Sequence, residues 1–101
     1  MIIPKGCTAK NSFTLPFKEE EIEVLYITYQ QSGKTVIEKA LADCSFADNK
    51  VGVKLSQEET ILFDTNRIIQ IQIRIRLKDG TVTKSNVITS TTDILLKTEV
   101  I

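Results

Sequence analysis

Hydrophobic and polar residues alternate along this chain with the period of a β-strand, most clearly between residues 69 and 77. There Ile69, Ile71, Ile73, Ile75 and Leu77 occupy one parity, and Gln70, Gln72, Arg74 and Arg76 the other. Such a segment buries one face and wets the other. Asp79-Gly80 follows, and Thr81 to Thr89 resumes an extended pattern, which predicts a hairpin. A two-residue Asp79-Gly80 loop would set Lys84 opposite Ile75 and Asn86 opposite Ile73 on the buried side, at a cost in desolvation. A three-residue Lys78-Asp79-Gly80 loop with a bulge places Thr83, Ser85 and Val87 there instead, and is the preferred register.

The same reading extends to the rest of the chain. Phe13, Leu15 and Phe17 alternate with Thr14 and Pro16; a proline cannot donate to a ladder, so this strand belongs at a sheet edge. Lys18-Glu19-Glu20-Glu21 reads as a solvated corner with room for one helical turn. Ile22 to Gln30 is β-branched and aromatic, with apolar residues of both parities, as in a central strand. Gln31-Ser32-Gly33-Lys34 supplies a turn, and Thr35 to Leu41 the partner strand. Ala42 to Lys50 is a looser connection from which Phe46 reaches the core. Val51, Val53 and Leu55 form a half-buried strand. Ser56-Gln57-Glu58-Glu59 matches a capping box and predicts a single helical turn before Ile61-Leu62-Phe63. The tail, Asp93 to Ile101, carries Ile94, Leu95, Leu96, Val100 and Ile101 without a clean period, so it is a last strand or an arm.

Six or seven strands joined by hairpins and one short helical turn predict an all-β protein. The architecture that fits best is a two-layer antiparallel β-sandwich of immunoglobulin-like type, without the Cys and Trp marks of antibody domains. Residues 1–101 read as one domain, with 1–11 and 93–101 as candidate terminal arms.

Composition narrows the function classes. Thirteen basic residues balance thirteen acidic ones, which supplies no field for nucleic acid or an anionic membrane. The longest nearly apolar run, Val24 to Tyr29, is too short to span a bilayer, and no secretory pattern opens the chain, so synthesis and folding in the cytoplasm are expected. Cys7 and Cys44 lie outside any C-x-x-C pattern and are expected as free thiols, Cys44 partly buried. Histidine is absent, which removes the commonest general base and metal ligand. Asp43, Asp48, Glu58, Glu59 and Asp64 fall in corners, where acidic residues form turns and caps. The glycines, Gly6, Gly33, Gly52 and Gly80, are scattered rather than gathered into a phosphate loop. No catalytic residue, cofactor or metal site is predicted. The candidate interaction surface is the stripe Gln70, Gln72, Arg74 and Arg76 together with Ile94, Leu95, Leu96, Val100 and Ile101. The stripe also serves as the wet face any two-layer sheet needs. With Tyr26 and Tyr29 it suggests, as the alternative, a carbohydrate- or ligand-binding sandwich.

A family resemblance adds to this reading. Phe13-Thr14-Leu15-Pro16-Phe17, Tyr26-Ile27-Thr28-Tyr29-Gln30 with Gly33-Lys34 and Glu38-Lys39, and Val53 to Thr60 with Phe63 resemble small proteins encoded among virion genes of phages and prophages of Gram-positive bacteria. Gln70-Ile71-Gln72-Ile73-Arg74, Asp79-Gly80 and Ser85-Asn86-Val87-Ile88 extend the similarity, which runs from about Phe13 to Ile101. It implies a tail, baseplate or other structural-module protein that binds protein subunits, either copies of itself or other virion components, and is carried into a phage particle. It transfers no active site.

Truncating Ile71, Ile73 or Ile75 to Ala is expected to cost about 2–5 kcal/mol through the cavity left in the core. The outward Gln72 should tolerate Ala within about 0.5 kcal/mol. Urea melts of the four variants measure the contrast, and equal losses at Gln72 and Ile73 would contradict a one-sided strand.

Overall fold

A computed structural model describes residues 1–101. The strands in chain order are β1 (Ile2–Ile3), β2 (Ala9–Thr14), β3 (Ile22–Gln31), β4 (Lys34–Ala40), β5 (Cys44–Ala47), β6 (Lys50–Leu55), β7 (Ile69–Leu77), β8 (Val82–Lys84) and β9 (Ile88–Thr92). One short helix, α1 (Gln57–Ile61), joins β6 to β7, and 3-10 turns cover Glu19–Glu21 and Leu41–Asp43. One sheet has the order β1-β9-β7-β3-β4, with β8 also paired to β7; the other has the order β2-β6-β5. Every pair is antiparallel except β1 with β9, which is parallel.

In the standard lettering, β2, β6 and β5 take the places of strands B, E and D. β4, β3, β7 and the β8–β9 return take those of C′, C, F and G. The chain is an immunoglobulin-like β-sandwich carrying the additional C′ strand of the variable type. β1 lies on the far edge of the larger sheet, beside β9.

Turn chemistry sets the pairings. Ser32 and Gly33 have φ of 53° and 76°, and Asp48 and Asn49 have 50° and 62°. Two successive positive φ values make the type I′ loops whose twist suits tight hairpins, here β3–β4 and β5–β6. Pairing of Ile75 with Thr83 and of Arg76 with Val82 places the β7–β8 hairpin in the three-residue register. Gly80 takes φ 93° in that loop.

The return from that hairpin departs from the expected continuous strand. Arg74 pairs with Lys84, yet Ile71 pairs with Ile88, so β8 and β9 are separated by a bulge. Ser85 explains it: its hydroxyl accepts from the Ile73 N–H at 3.0 Å, and Gln72 Nε2 donates to the Ser85 carbonyl at 3.1 Å. Val87, expected inside, is consequently turned outward and exposed, and Ile88 packs on the core in its stead. Gln72 is half-buried and bonded, so Gln72→Ala should cost nearer 1 kcal/mol than nothing. The connection after Leu41 also holds more order than expected, since Cys44–Ala47 is a strand, with Phe46 packed against the core. Edge strand β2 ends at Thr14, just before Pro16.

Both sheets contribute to one core. Ile69, Ile71, Ile73 and Ile75 of β7 join Leu25, Ile27 and Tyr29 of β3, and face Phe13, Val51, Val53 and Leu55 of the smaller sheet. Phe63 lies with its ring centroid 6.1 Å from that of Tyr29. In place of the disulfide and Trp of antibody domains, Asn11 of β2 donates its amide to the Tyr29 hydroxyl at 2.8 Å, joining the sheets through a buried polar pair.

Burial raises the Tyr29 pKa to about 12, against a smaller opposing effect of the Asn11 hydrogen bond. The folded state therefore keeps its proton where the unfolded chain loses it. Stability from this group is intact below about pH 10 and falls as pH rises towards 12, by up to about 3 kcal/mol. Urea melts across that range should show a steeper alkaline loss in the wild type than in Tyr29→Phe; parallel curves would place the hydroxyl in solvent.

Candidate functional site

The parity of β7 decides which side chains the larger sheet shows to solvent. Across the β3–β7 pair, Gln30 lies beside Gln70, Thr28 beside Gln72, Tyr26 beside Arg74 and Val24 beside Arg76. On the other flank, Lys84 lies beside Arg74 and Val82 beside Arg76. The outer face thus has a neutral polar end and a basic, partly apolar end. At the polar end, Thr28, Gln30, Gln70, Gln72 and Val87 line a shallow depression of about 160 Å³. At the basic end, Val24, Tyr26, Arg74, Arg76 and Val82 line another of about 190 Å³.

These side chains are committed to different degrees. Arg76 pairs at 2.9 Å with Glu23, the extra residue of a bulge near the start of β3. Gln72 is held by Ser85. Arg74 and Lys84 form no salt bridge. Tyr26 is 44% exposed, whereas Tyr29 points inward, so Tyr29 cannot serve as a platform for a sugar. Val24 and Val82, at the same end, were not singled out by the sequence pattern. Their signal was present: Val24 and Tyr26 are the off-parity apolar residues of a strand read as buried on both faces, and Val82 sits on the solvent parity of its hairpin.

The tail is held by a few separate contacts rather than by strand pairing. Asp93 Oδ1 accepts from the Lys5 N–H at 3.0 Å. Leu95 lies over Gly6, whose φ of 75° and lack of a Cβ make room for its methyl groups. The Gln57 side-chain amide pairs with the Ile101 backbone in both directions, each bond 2.9 Å. α1, which carries Gln57, is fixed by its capping box: Ser56 Oγ accepts from the Glu59 N–H at 3.2 Å, and Glu59 Oε1 from the Ser56 N–H at 2.9 Å. Lys39 closes on Glu59 at 2.7 Å. Burial alone would raise the Glu59 pKa, but the bonds from Lys39 and Ser56 hold it below the ordinary value.

Held in this way, the tail turns most of its apolar side chains to solvent. Ile94 is 77% exposed, Leu96 96% and Ile101 91%, and Val100 is exposed as well, while Leu95 is half-buried. The structure does not unite the two parts of the predicted surface. The tail and α1 sit where β7 begins and β6 and β9 end, whereas Arg74 and Arg76 lie towards the other end of the nine-residue β7.

Two of the corner carboxylates serve as turn acceptors. Asp43 accepts from the Ala40 N–H and Asp64 from the Asn66 N–H, each at 2.9 Å. No group of three or more His, Cys, Asp or Glu side chains converges where a metal ion could sit. Cys7 and Cys44 are free; Cys44 donates to the Ala40 carbonyl at 3.3 Å, and burial pushes its thiol pKa up. No helix is long and apolar enough to cross a membrane.

No protein-family model and no curated protein matches the sequence. Among solved structures, the chain is similar to the immunoglobulin-like domain of mouse leukocyte-associated immunoglobulin-like receptor 1, crystallised as a strand-swapped dimer. The identity is 7%, over 93% of this chain and 88% of that one, with a TM-score of 0.49. It is also similar to the V domain of amphioxus IgVJ-C2, with 8% identity, coverage of 93% and 100%, and a TM-score of 0.39. The fold assignment rests on the strand order. Immunoglobulin-like domains often serve protein–protein contacts, but a fold does not by itself assign a function.

The two neighbouring leucines separate anchoring from display. Leu95→Ala should cost about 1 kcal/mol or more by unpacking the tail from Gly6, and Leu96→Ala should remain within about 0.5 kcal/mol. Thermal melts of both variants check this, and an equal loss at Leu96 would mean that its side chain is covered.

Proposed function

We propose that the chain is a non-enzymatic structural or assembly protein of phage or prophage origin, carried into a phage particle after synthesis in the cytoplasm, that acts by binding other protein subunits. The observation that supports this most is the tail, whose backbone is tied to the domain while Ile94, Leu96, Val100 and Ile101 remain in water. Exposed apolar side chains grouped on one segment mark contact sites. Fully burying each contributes roughly 1.5–3 kcal/mol before ordering costs, and a tail already held in place loses less entropy on docking. The phage origin rests on the sequence resemblance alone.

A second reading, a carbohydrate- or ligand-binding sandwich, draws on Tyr26 and Arg74 beside the depression at the basic end of the outer face. A glycan array separates the two. Binding abolished by Tyr26→Ala and Arg74→Ala would favour the ligand reading, and an array without hits would discard it.

The subunit reading is tested with Ile94→Ser, Leu96→Ser and Ile101→Ser combined. Light scattering should show the wild type in a larger species, alone or with particle components from an induced lysogen, and the variant in a smaller one with nearly the same melting midpoint. Absence of the protein from particles and assembly intermediates, with a monomeric wild type, would reject it.

A further inference from the structure

Two features of the surface leave apolar side chains exposed and match each other in chemistry. One is the depression at the basic end of the outer face, apolar through Val24, Tyr26 and Val82, with Arg74 beside it. The other is the end of the tail, Glu99-Val100-Ile101. We propose that the tail of one copy docks on the outer face of the next. Val100 and Ile101 enter the depression, and Glu99 faces Arg74 and Lys84. This rests on reading the tail as a subunit contact, and adds the surface it meets.

Charge supports the choice of a second copy. Arg74 and Lys84 are adjacent across the β7–β8 pair without an acidic partner, and like charges directly opposite each other are unfavourable. Glu99 is paired only with Lys97, at 3.1 Å and with both side chains exposed, a pair too weak to resist exchange. Composition and size agree. Tyr and Arg are the residues enriched at the centres of protein interfaces. The depression of about 190 Å³ adjoins a wider one of about 470 Å³ that shares Arg74 and Val82 and adds Lys84, room for more than one side chain of a docking segment.

Topology makes the contact intermolecular. The Gln57–Ile101 pairing fixes the tail at the end of the sandwich where β7 begins, and the depression lies near where β7 ends. At about 3.3 Å per residue, several residues of β7 separate the two by roughly 20 Å, so a held tail cannot reach its own depression. A contact between unlike surfaces either repeats from copy to copy, in rows or rings, or is exchanged reciprocally between two copies in a closed dimer.

The test uses two variants of the full chain. The first, Val100→Ser with Ile101→Ser, removes the anchor and keeps the outer face; the second, Tyr26→Ala with Val82→Glu, blocks the face and keeps the tail. In analytical ultracentrifugation the wild type should grow in mass with concentration, and each variant alone should stay monomeric. Their equimolar mixture should form a one-to-one dimer that goes no further. Glu99→Lys should weaken wild-type association about tenfold, the scale of one reversed charge pair, and Arg74→Glu in the partner copy should restore it. That exchange carries the same test if either double variant loses its melting transition. If the face variant associates like the wild type while the tail variant does not, the tail contact stands and its docking on this face is overturned. A wild type monomeric at every concentration overturns the proposal, and so does a mixture that stays monomeric.

Discussion

The register of β7 is the constraint on which the rest depends. It pairs with β3, β8 and β9 and is the strand around which the larger sheet is built. Its isoleucines fill the core from one parity, so a slip by one residue would put Gln70, Gln72, Arg74 and Arg76 inside and the isoleucines in water. The three-residue turn through Gly80 fixes the register at one end. At the other, the buried Gln31 side chain, on β3, donates to the carbonyls of Asp64 and Arg67 and accepts from the Asp64 N–H, shaping the loop that leads into the strand. Both the core and the outer face follow from that setting.

Closure of the sandwich follows a different logic from that of antibody domains. No disulfide crosses it; the sheets are held by packing of β-branched and aromatic side chains, with the Asn11–Tyr29 bond between them. A buried pair of this kind contributes modestly while intact but is costly to break on one side only, since the remaining group then lacks both water and a partner. Further polar ties gather where the termini lie. Thr60 donates to the Cys7 carbonyl at 2.8 Å, Ser90 to that of Met1 at 3.0 Å and Thr92 to that of Ile3 at 2.7 Å. The N-terminal segment thereby becomes part of the domain edge, with Ile3 fully buried, and the tail runs back over it.

Much of this was legible in the sequence because local chemistry and global fold agree. The alternation of 69–77, the capping box at Ser56 and the desolvation argument against burying Lys84 each led to the observed element. What escaped had no local signature. The bulge that expels Val87 arises because the Ser85 hydroxyl substitutes for a backbone carbonyl, a choice made by tertiary packing rather than by periodicity. β5 is short, with Ser45 and Ala47 as poor strand markers, and it is secured by pairing with β6. β1 has only two residues, and its pairing is with the distant β9. The candidate surface was half legible. Its residues were recognisable by polarity and by unplaced apolar groups, but their separation to opposite ends of the molecule comes from topology.

The proposed contact joins the tail of one copy to the outer face of the next. Methyl-resolved NMR of the wild-type chain across a dilution series tests it most directly, because each side chain reports separately. Shifts of Leu96, Val100, Ile101, Val24 and Val82 should change together with concentration while those of Ile71 and Ile73 stay fixed. Concentration-independent spectra, or changes confined to methyl groups elsewhere, would contradict it.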